Sequence, residues 1–276
     1  MRRANARRIF RCMTDNASTI ALTIAGSDSG GGAGIQADLK TFARFGVFGT
    51  SALTAVTAQN TFGVRAWERV SPALVRAQID AVAEDLRPAA IKSGMLADAE
   101  VVKAVAGGIA AHSLSPYVLD PVMAATSGDP LLEPDAIAAI AEQLVPLATL
   151  VTPNLDEVAL LSGERPDDAD GMERAARRLV TALGARAVLV KGGHLQGDDL
   201  VDVLFDGTRV RRYVHPRVRT TSTHGTGCTL SAAIAALLAR GEPIERAVEG
   251  ALDYVARAIA RAPAIGGGHG PLEHSA

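Results

Sequence analysis

The sequence predicts an α/β fold: one mostly parallel sheet covered on both faces by helices and finished by an antiparallel edge. Three observations carry this. Short apolar, β-rich runs alternate along the chain with longer helical stretches, the pattern of βαβ units. The runs are mostly apolar rather than strictly alternating, as strands buried on both faces are. Toward the C-terminal third, two further runs flank a tight polar turn, which adds an antiparallel hairpin.

Taken in order, the first strand is read at Ile20–Ala25 and is followed by a helix at Gly34–Phe45. A second strand at Ser51–Ala58 precedes a helix at Pro72–Leu86, where Ser71 supplies the N-cap and Pro72 the first helical residue. The alternation continues with Ala89–Ile91, a helix at Asp98–Ala111, Tyr117–Leu119, a helix at Pro134–Leu144, Leu150–Val151, a helix at Asp168–Leu183 and Ala187–Val190. Val201–Asp206 and Val210–Val214 then flank Asp206-Gly207-Thr208-Arg209 as a hairpin, and a small-residue helix follows at Gly225–Leu238. No Pro/Ser-rich linker or repeat interrupts Thr19 to Ala262, so residues 19–262 are read as one domain. Residues 1–18 read as a disordered basic tail: Arg2, Arg3, Arg7, Arg8 and Arg11 come without the apolar region of a secretory signal, and Met13 is an alternative initiator. Residues 263–276, with Gly266-Gly267-Gly268, read as a flexible tail.

Composition narrows the function classes. The 276 residues are 48% apolar, enough for a sizeable core, and 28 basic against 30 acidic residues leave a net charge of −2 with no long single-sign block. A nucleic-acid footprint is therefore not expected, and a small soluble ligand is. The two cysteines, Cys12 and Cys228, are far apart and make neither a disulfide framework nor a cysteine metal site, which fits a reducing, cytoplasmic compartment. No apolar run approaches the ~18 residues that span a bilayer.

In open parallel sheets ligands bind beyond the carboxyl ends of the strands. Those ends are polar and glycine-rich here: Gly26-Ser27-Asp28-Ser29-Gly30-Gly31-Gly32-Ala33-Gly34, Gln59-Asn60, Lys92-Ser93-Gly94-Met95, Asp120-Pro121-Val122-Met123, Thr152-Pro153-Asn154 and Lys191-Gly192-Gly193-His194. Gly32-Ala33-Gly34-Ile35-Gln36-Ala37 fits G-x-G-x-x-A, but its first glycine lies too far past the strand and no acid stands near residues 50–58, so a dinucleotide fingerprint is rejected. A Walker A loop needs a Gly-Lys pair, which the sequence lacks. The better anion site is Thr223-His224-Gly225-Thr226-Gly227-Cys228-Thr229, where glycines let consecutive N–H groups turn inward at a helix N-terminus.

These segments, with Ala25 through Asp38, Ala58-Gln59-Asn60-Thr61, Glu157 and Leu230, resemble in order and spacing the hydroxymethylpyrimidine/phosphomethylpyrimidine kinase family over Thr19 to about Ala262. The resemblance implies a ribokinase-like three-layer α-β-α sandwich without a separate lid domain, ATP and Mg²⁺ as cofactors, a small pyrimidine substrate and a homodimer. Gln59 matches the residue that reads the pyrimidine ring, as an amide able to donate and accept at once. Ala33, Met95 and Val122 match the pocket's apolar walls, and Asp38 a carboxylate that either touches substrate or supports the loop. Asn154 and Glu157 match the Asn-x-x-Glu element that organises Mg²⁺ and the phosphates; Lys191 and Thr223 match nucleotide-side residues; Gly225, Gly227 and Cys228 match the anion hole and catalytic position. His224 and His194 are read as loop-structuring, because neither has ligand-patterned neighbours.

Related sugar kinases carry Asp where Cys228 stands. A monophosphate substrate attacks through an oxygen that is already largely ionised, its second pKa being about 6, so no strong base is needed and a fixed carboxylate would repel it. A thiol, ordinarily titrating near ~8.5, imposes no full charge. Ser222 stands where many relatives have Asn, and Thr126, before Ser127-Gly128-Asp129, where some have Lys. Two other readings share the fold: a pyridoxal kinase, whose substrate is also a heteroaromatic ring with a hydroxymethyl arm, and a catalytically silent binder, which would have lost the anion hole or Asn154 and Glu157.

Overall fold

The computed structural model describes residues 18–123, 134–193 and 199–276. Cys12, Met13, Thr126, Ser127-Gly128-Asp129 and His194 therefore lie outside the described residues. In chain order the elements are β1 (Ile20–Ala25), α1 (Gly34–Arg44), β2 (Phe48–Leu53), β3 (Ala55–Asn60), β4 (Gly63–Arg69), α2 (Pro72–Asp85), β5 (Ala90–Ser93), α3 (Ala99–Ala111), β6 (Tyr117–Leu119) and α4 (Pro134–Ala139). They continue with β7 (Leu150–Val151), α5 (Leu155–Ser162), α6 (Ala169–Leu183), β8 (Val188–Val190), β9 (Asp199–Phe205), β10 (Val210–Pro216), α7 (Thr226–Ala239) and α8 (Ile244–Ala260).

Eight strands form one sheet in the order β10-β9-β8-β7-β6-β5-β1-β2, parallel from β2 to β8 and antiparallel at β8–β9 and β9–β10. Because side chains alternate across a strand, neighbouring residues enter opposite cores. Leu22, Leu119, Val151 and Val190 pack on the side of α2 to α6 with Val75, Val105 and Leu179. Ala21, Val118, Leu150 and Leu189 pack on the side of α1, α7 and α8 with Phe42, Ile234 and Val248. This is the expected three-layer arrangement, and each fully buried Leu or Ile stabilises it by about 1.5–3 kcal/mol. The hairpin turn is closed by Asp206, whose Oδ1 accepts from the amides of Thr208 at 2.8 Å and Arg209 at 2.7 Å. Among the described residues no helix is long and apolar enough to cross a membrane.

Four local expectations are corrected. The single strand expected at 51–58 is broken at Thr54, whose amide donates to Ala25 O at 3.1 Å and whose hydroxyl donates to Met95 O at 2.6 Å. Beyond it, β3 leaves the sheet and pairs with β4 as an antiparallel hairpin. The helix expected at 134–144 is α-helical only to Ala139 and widens into a π turn at Ile140–Leu144. Three elements had not been expected: β4, the short α5, and α8, whose Ala247, Val248, Ala251, Leu252 and Val255 repeat at helical spacing against α7.

The fourth correction concerns residues 263–276, which fold back over the rim. Leu272, His274 and Ala276 are buried. His269 N donates to Thr61 O at 2.8 Å, Glu273 N to Ala258 O at 3.1 Å, and Gly270 O accepts from His224 N at 3.1 Å. Burial, with Lys40 nearby, pushes the His274 imidazole down to about 4, so it stays neutral beside Thr229 Oγ1 at 3.2 Å. Glycines suggest freedom only while the segment has no partners, and here its amides and Leu272 have them.

Candidate active site

The glycine loop between β1 and α1 is held from inside by Asp28. Its Oδ1 accepts from Gly30 N at 2.7 Å, and its Oδ2 from Gly32 N at 2.9 Å and Ala33 N at 2.8 Å. Oδ2 also lies 2.9 Å from His224 Nε2, which ties this loop to the one opening α7. Burial opposes ionisation of Asp28, yet the His224 contact and the amides of Ala33 and Gly30 outweigh it and hold the carboxyl below its ordinary value.

Gly225 caps α7 with φ of +80°, and a Cβ there would sit 1.9 Å from Gly32 O, so neither a side chain nor another backbone path fits. At Gly227 a Cβ would lie 3.4 Å from Lys191 Nζ and 3.6 Å from Asp120 Oδ2, which puts the α7 N-terminus against the ends of β6 and β8. Lys191 Nζ is 3.0 Å from Asp120 Oδ1 and 3.8 Å from Glu157 Oε2, with its side chain 15% exposed. Burial alone would lower this ammonium, but Asp120 and Glu157 raise it, so it stays charged. Asp120 also accepts from Ser231 Oγ at 3.2 Å and Thr152 Oγ1 at 3.3 Å.

Asn154 and Glu157 form a reciprocal capping box on α5. Asn154 Oδ1 accepts from the amides of Asp156 and Glu157, both at 2.9 Å, while Glu157 Oε2 accepts from Asn154 N at 2.7 Å. Burial pushes the Glu157 carboxyl up to about 7 against the pull of Lys191. Asn154 therefore serves the helix and positions Glu157. No group of three or more His, Cys, Asp and Glu side chains among the described residues makes a metal cage. Two carboxylates, Asp120 and Glu157, both within 4 Å of Lys191 Nζ, nonetheless fit Mg²⁺, which keeps several waters and binds through few carboxylates.

Cys228, in the first turn of α7, is half-buried. Burial pushes its thiol up to about 11, against the opposing influence of Lys92 and the Gly34 amide. The thiol is therefore neutral at physiological pH. In a Cys12→Ser background, which leaves Cys228 as the single thiol, thiolate absorbance at 240 nm should rise only above about pH 10, and carboxymethylation of Cys228 at pH 8 should be slow; a transition near pH 8 in that background would contradict the burial.

Asp38 does not reach the pocket. It is fully buried, Thr23 Oγ1 donates to Oδ2 at 2.6 Å, and Lys92 Nζ lies 3.0 and 2.8 Å from its two oxygens. Burial would lower the Lys92 ammonium, but Asp38, with Cys228 and Asp120 around it, holds it above its ordinary value. Of the two roles considered for Asp38, support is the one its position allows. Gln59 follows a register shift in β3, and a bulge of this kind re-aims a side chain; its amide lies 3.3 Å from His224 Nε2. Ala33, Met95 and Val122 are each half-buried at the ends of the glycine loop, β5 and β6, and Thr223 turns its carbonyl to Thr226 Oγ1 at 2.8 Å. Three charged residues lacked an assigned role from sequence: Asp28, Lys92 and Asp120. Their shared signal is position, each being within three residues of a strand's carboxyl end.

A family model described as phosphomethylpyrimidine kinase matches residues 28–273. A hydroxymethylpyrimidine/phosphomethylpyrimidine kinase of Rhizobium meliloti is 54% identical over 93% of this chain and 97% of its own length. The protein of that name in Bacillus subtilis is 48% identical over 93% and 94%. Among solved structures, a phosphomethylpyrimidine kinase of Clostridium difficile superimposes with a TM-score of 0.79 at 41% identity, over 88% of this chain and all of that one (100%). An ADP complex of a Bacillus subtilis pyridoxal kinase superimposes with a TM-score of 0.88 at 39% identity, over 94% and 98%.

Proposed function

This chain belongs to the phosphomethylpyrimidine kinase family, and from that premise we propose that it phosphorylates 4-amino-5-hydroxymethyl-2-methylpyrimidine and then its monophosphate, with ATP as donor, in thiamine biosynthesis. One observation carries the reading: the Gly225–Cys228 loop at the α7 N-terminus closes on the charged pair of Lys191 and Asp120. Phosphoryl transfer passes through a loose transition state and asks the protein mainly for position and charge. Amides opening α7 face the charge that develops, and the Lys191 ammonium adds a full positive charge beside them. Asp120 and Glu157 would hold Mg²⁺ through water, and that ion, bound with the nucleotide, neutralises the phosphates. Gln59 reads the ring between walls formed by Ala33, Met95 and Val122. Lys92, held by Asp38 behind Cys228, keeps positive potential there while the thiol stays neutral.

The neutral thiol supports a division of labour between the two steps. The alcohol meets a polar group beside its oxygen, and the dianionic monophosphate meets no carboxylate at position 228. Cys228→Asp is accordingly expected to slow phosphorylation of the monophosphate by about tenfold or more, the scale of one like-charge contact of about 1.4 kcal/mol in a partly buried site, while changing the alcohol step less. Equal rates on the monophosphate in variant and wild type would remove the repulsion argument.

The reading is tested by coupled ADP release with Mg-ATP, offering hydroxymethylpyrimidine, its monophosphate and pyridoxal in parallel. Turnover of both pyrimidines is expected. The superposition on a pyridoxal kinase makes pyridoxal the informative competitor; turnover of pyridoxal alone would overturn the substrate assignment, and no turnover at all would favour a silent binder. A homodimer in the cytoplasm completes the proposal; exposed Val56, Phe62 and Trp67 on the β3–β4 hairpin offer apolar surface to a second copy.

A further inference from the structure

We propose that Asp28 and His224 are positioning residues that fix which way the Gln59 amide faces, and thereby make the site select an aminopyrimidine over its oxo counterpart. The proposal rests on the pyrimidine-kinase reading and deepens it.

Asp28 is 2% exposed and its two oxygens already accept three backbone amides. An ionised carboxylate can only accept. The contact of 2.9 Å from His224 Nε2 to Asp28 Oδ2 therefore requires a hydrogen on Nε2, whether the ring is neutral or charged. The ring has little room to turn away. A Cβ on Gly32 would lie 2.7 Å from His224 Cδ2 and 3.0 Å from Pro271 Cβ, and the His224 backbone is tied to Gly270 O at 3.1 Å.

As placed, the Gln59 side-chain nitrogen lies 3.3 Å from that same Nε2, which sets N–H against N–H. With Nε2–H donating, only the Gln59 carbonyl oxygen is a compatible neighbour there. As placed, Gln59 Oε1 lies 3.4 Å from Thr57 Oγ1, whose single hydrogen is better used toward Ser27 O at 2.8 Å, so two acceptors face each other. Thr57 has one hydrogen, so toward Gln59 it accepts, and the Gln59 –NH₂ satisfies it. Both neighbours therefore select the amide turned over from that placement: carbonyl toward His224, amine toward Thr57. The two ends of an amide are nearly isosteric, so such hydrogen-bond logic is what distinguishes them.

One N–H and one lone pair of Gln59 remain for the ligand. Together they match an amine beside a ring nitrogen, the way Gln pairs with adenine. A 4-oxo pyrimidine presents acceptor and donor in the reverse order and would need the amide turned round. Reversing it sets N–H against N–H at His224 and the carbonyl oxygen against the acceptor side of the Thr57 hydroxyl.

The experiment compares kcat/KM for 4-amino-5-hydroxymethyl-2-methylpyrimidine and its 4-oxo analogue in wild type, His224→Phe and His224→Gln, the last able to place an N–H near Nε2. In parallel, long-range ¹⁵N–¹H NMR on the full-length wild-type chain reads which ring nitrogen of His224 bears hydrogen, without any turnover. Wild type is expected to prefer the amino substrate by about 10- to 100-fold, the range for one bidentate pair. His224→Phe should bring the ratio within about threefold, largely through KM, and His224→Gln should restore much of it. Hydrogen on Nδ1 with bare Nε2, an unselective wild type, or an unchanged ratio in His224→Phe would each overturn the proposal. If wild type turned over neither pyrimidine, the substrate reading and the selectivity proposed here would fall, and the NMR readout would still decide the Asp28–His224–Gln59 orientation. If His224→Phe fails to fold, that same readout decides.

Discussion

Gly225→Ala is expected to lower kcat/KM on both pyrimidines by about 10²-fold or more, the scale of losing one preorganised donor to a developing anion. Two effects coincide. An alanine at φ of +80° is strained by about 1–2 kcal/mol, and its Cβ, 1.9 Å from Gly32 O, must push the α7 loop off the glycine loop. Gly46→Ala separates the two, since Gly46 has φ of +70° with nothing within 4 Å of a Cβ. That variant should show the strain in its melting temperature and keep kcat/KM within about twofold. A folded Gly225→Ala retaining more than a tenth of wild-type kcat/KM would show that the amides opening α7 do not hold the transferred group.

The second large effect concerns stability. Lys92→Met leaves the Asp38 carboxylate fully buried with only Thr23 and no cation, and breaking such a pair costs about 3–5 kcal/mol. In a chain of this size that corresponds to a fall in Tm on the order of 10 °C. Replacing both partners, as in Lys92→Met with Asp38→Leu, should recover most of the loss, because two apolar side chains need no counter-charge. The double variant then isolates the electrostatic role: folded but without the positive charge behind Cys228, it should lose kcat more than KM. A double variant as unstable as the single one would show that the buried pair is not an energetic unit.

Most of the sheet was legible because its strands are continuous apolar runs bounded by glycine and polar residues. β6 and β7 were placed to the residue from Tyr117–Leu119 and Leu150–Val151. The failures share a cause. Thr54, β4 and the C-terminal segment depend on contacts far along the chain: Thr54 with Met95, His269 with Thr61, His224 with Gly270. No local pattern encodes a partner that distant. Asp38 shows the same limit, since a carboxylate in a polar motif fits substrate contact and structural support alike until Lys92 is found against it.

By itself the sequence determined the layer order, the antiparallel edge and the loops that carry the chemistry. Strand periodicity, glycine at turns and an N–H-rich helix start are local properties of the chain. Tertiary structure alone decided which charges pair: Lys92 with Asp38, Lys191 with Asp120 and Glu157, His224 with Asp28. It also decided that Cys228 is a neutral thiol, because desolvation depends on everything packed around a group.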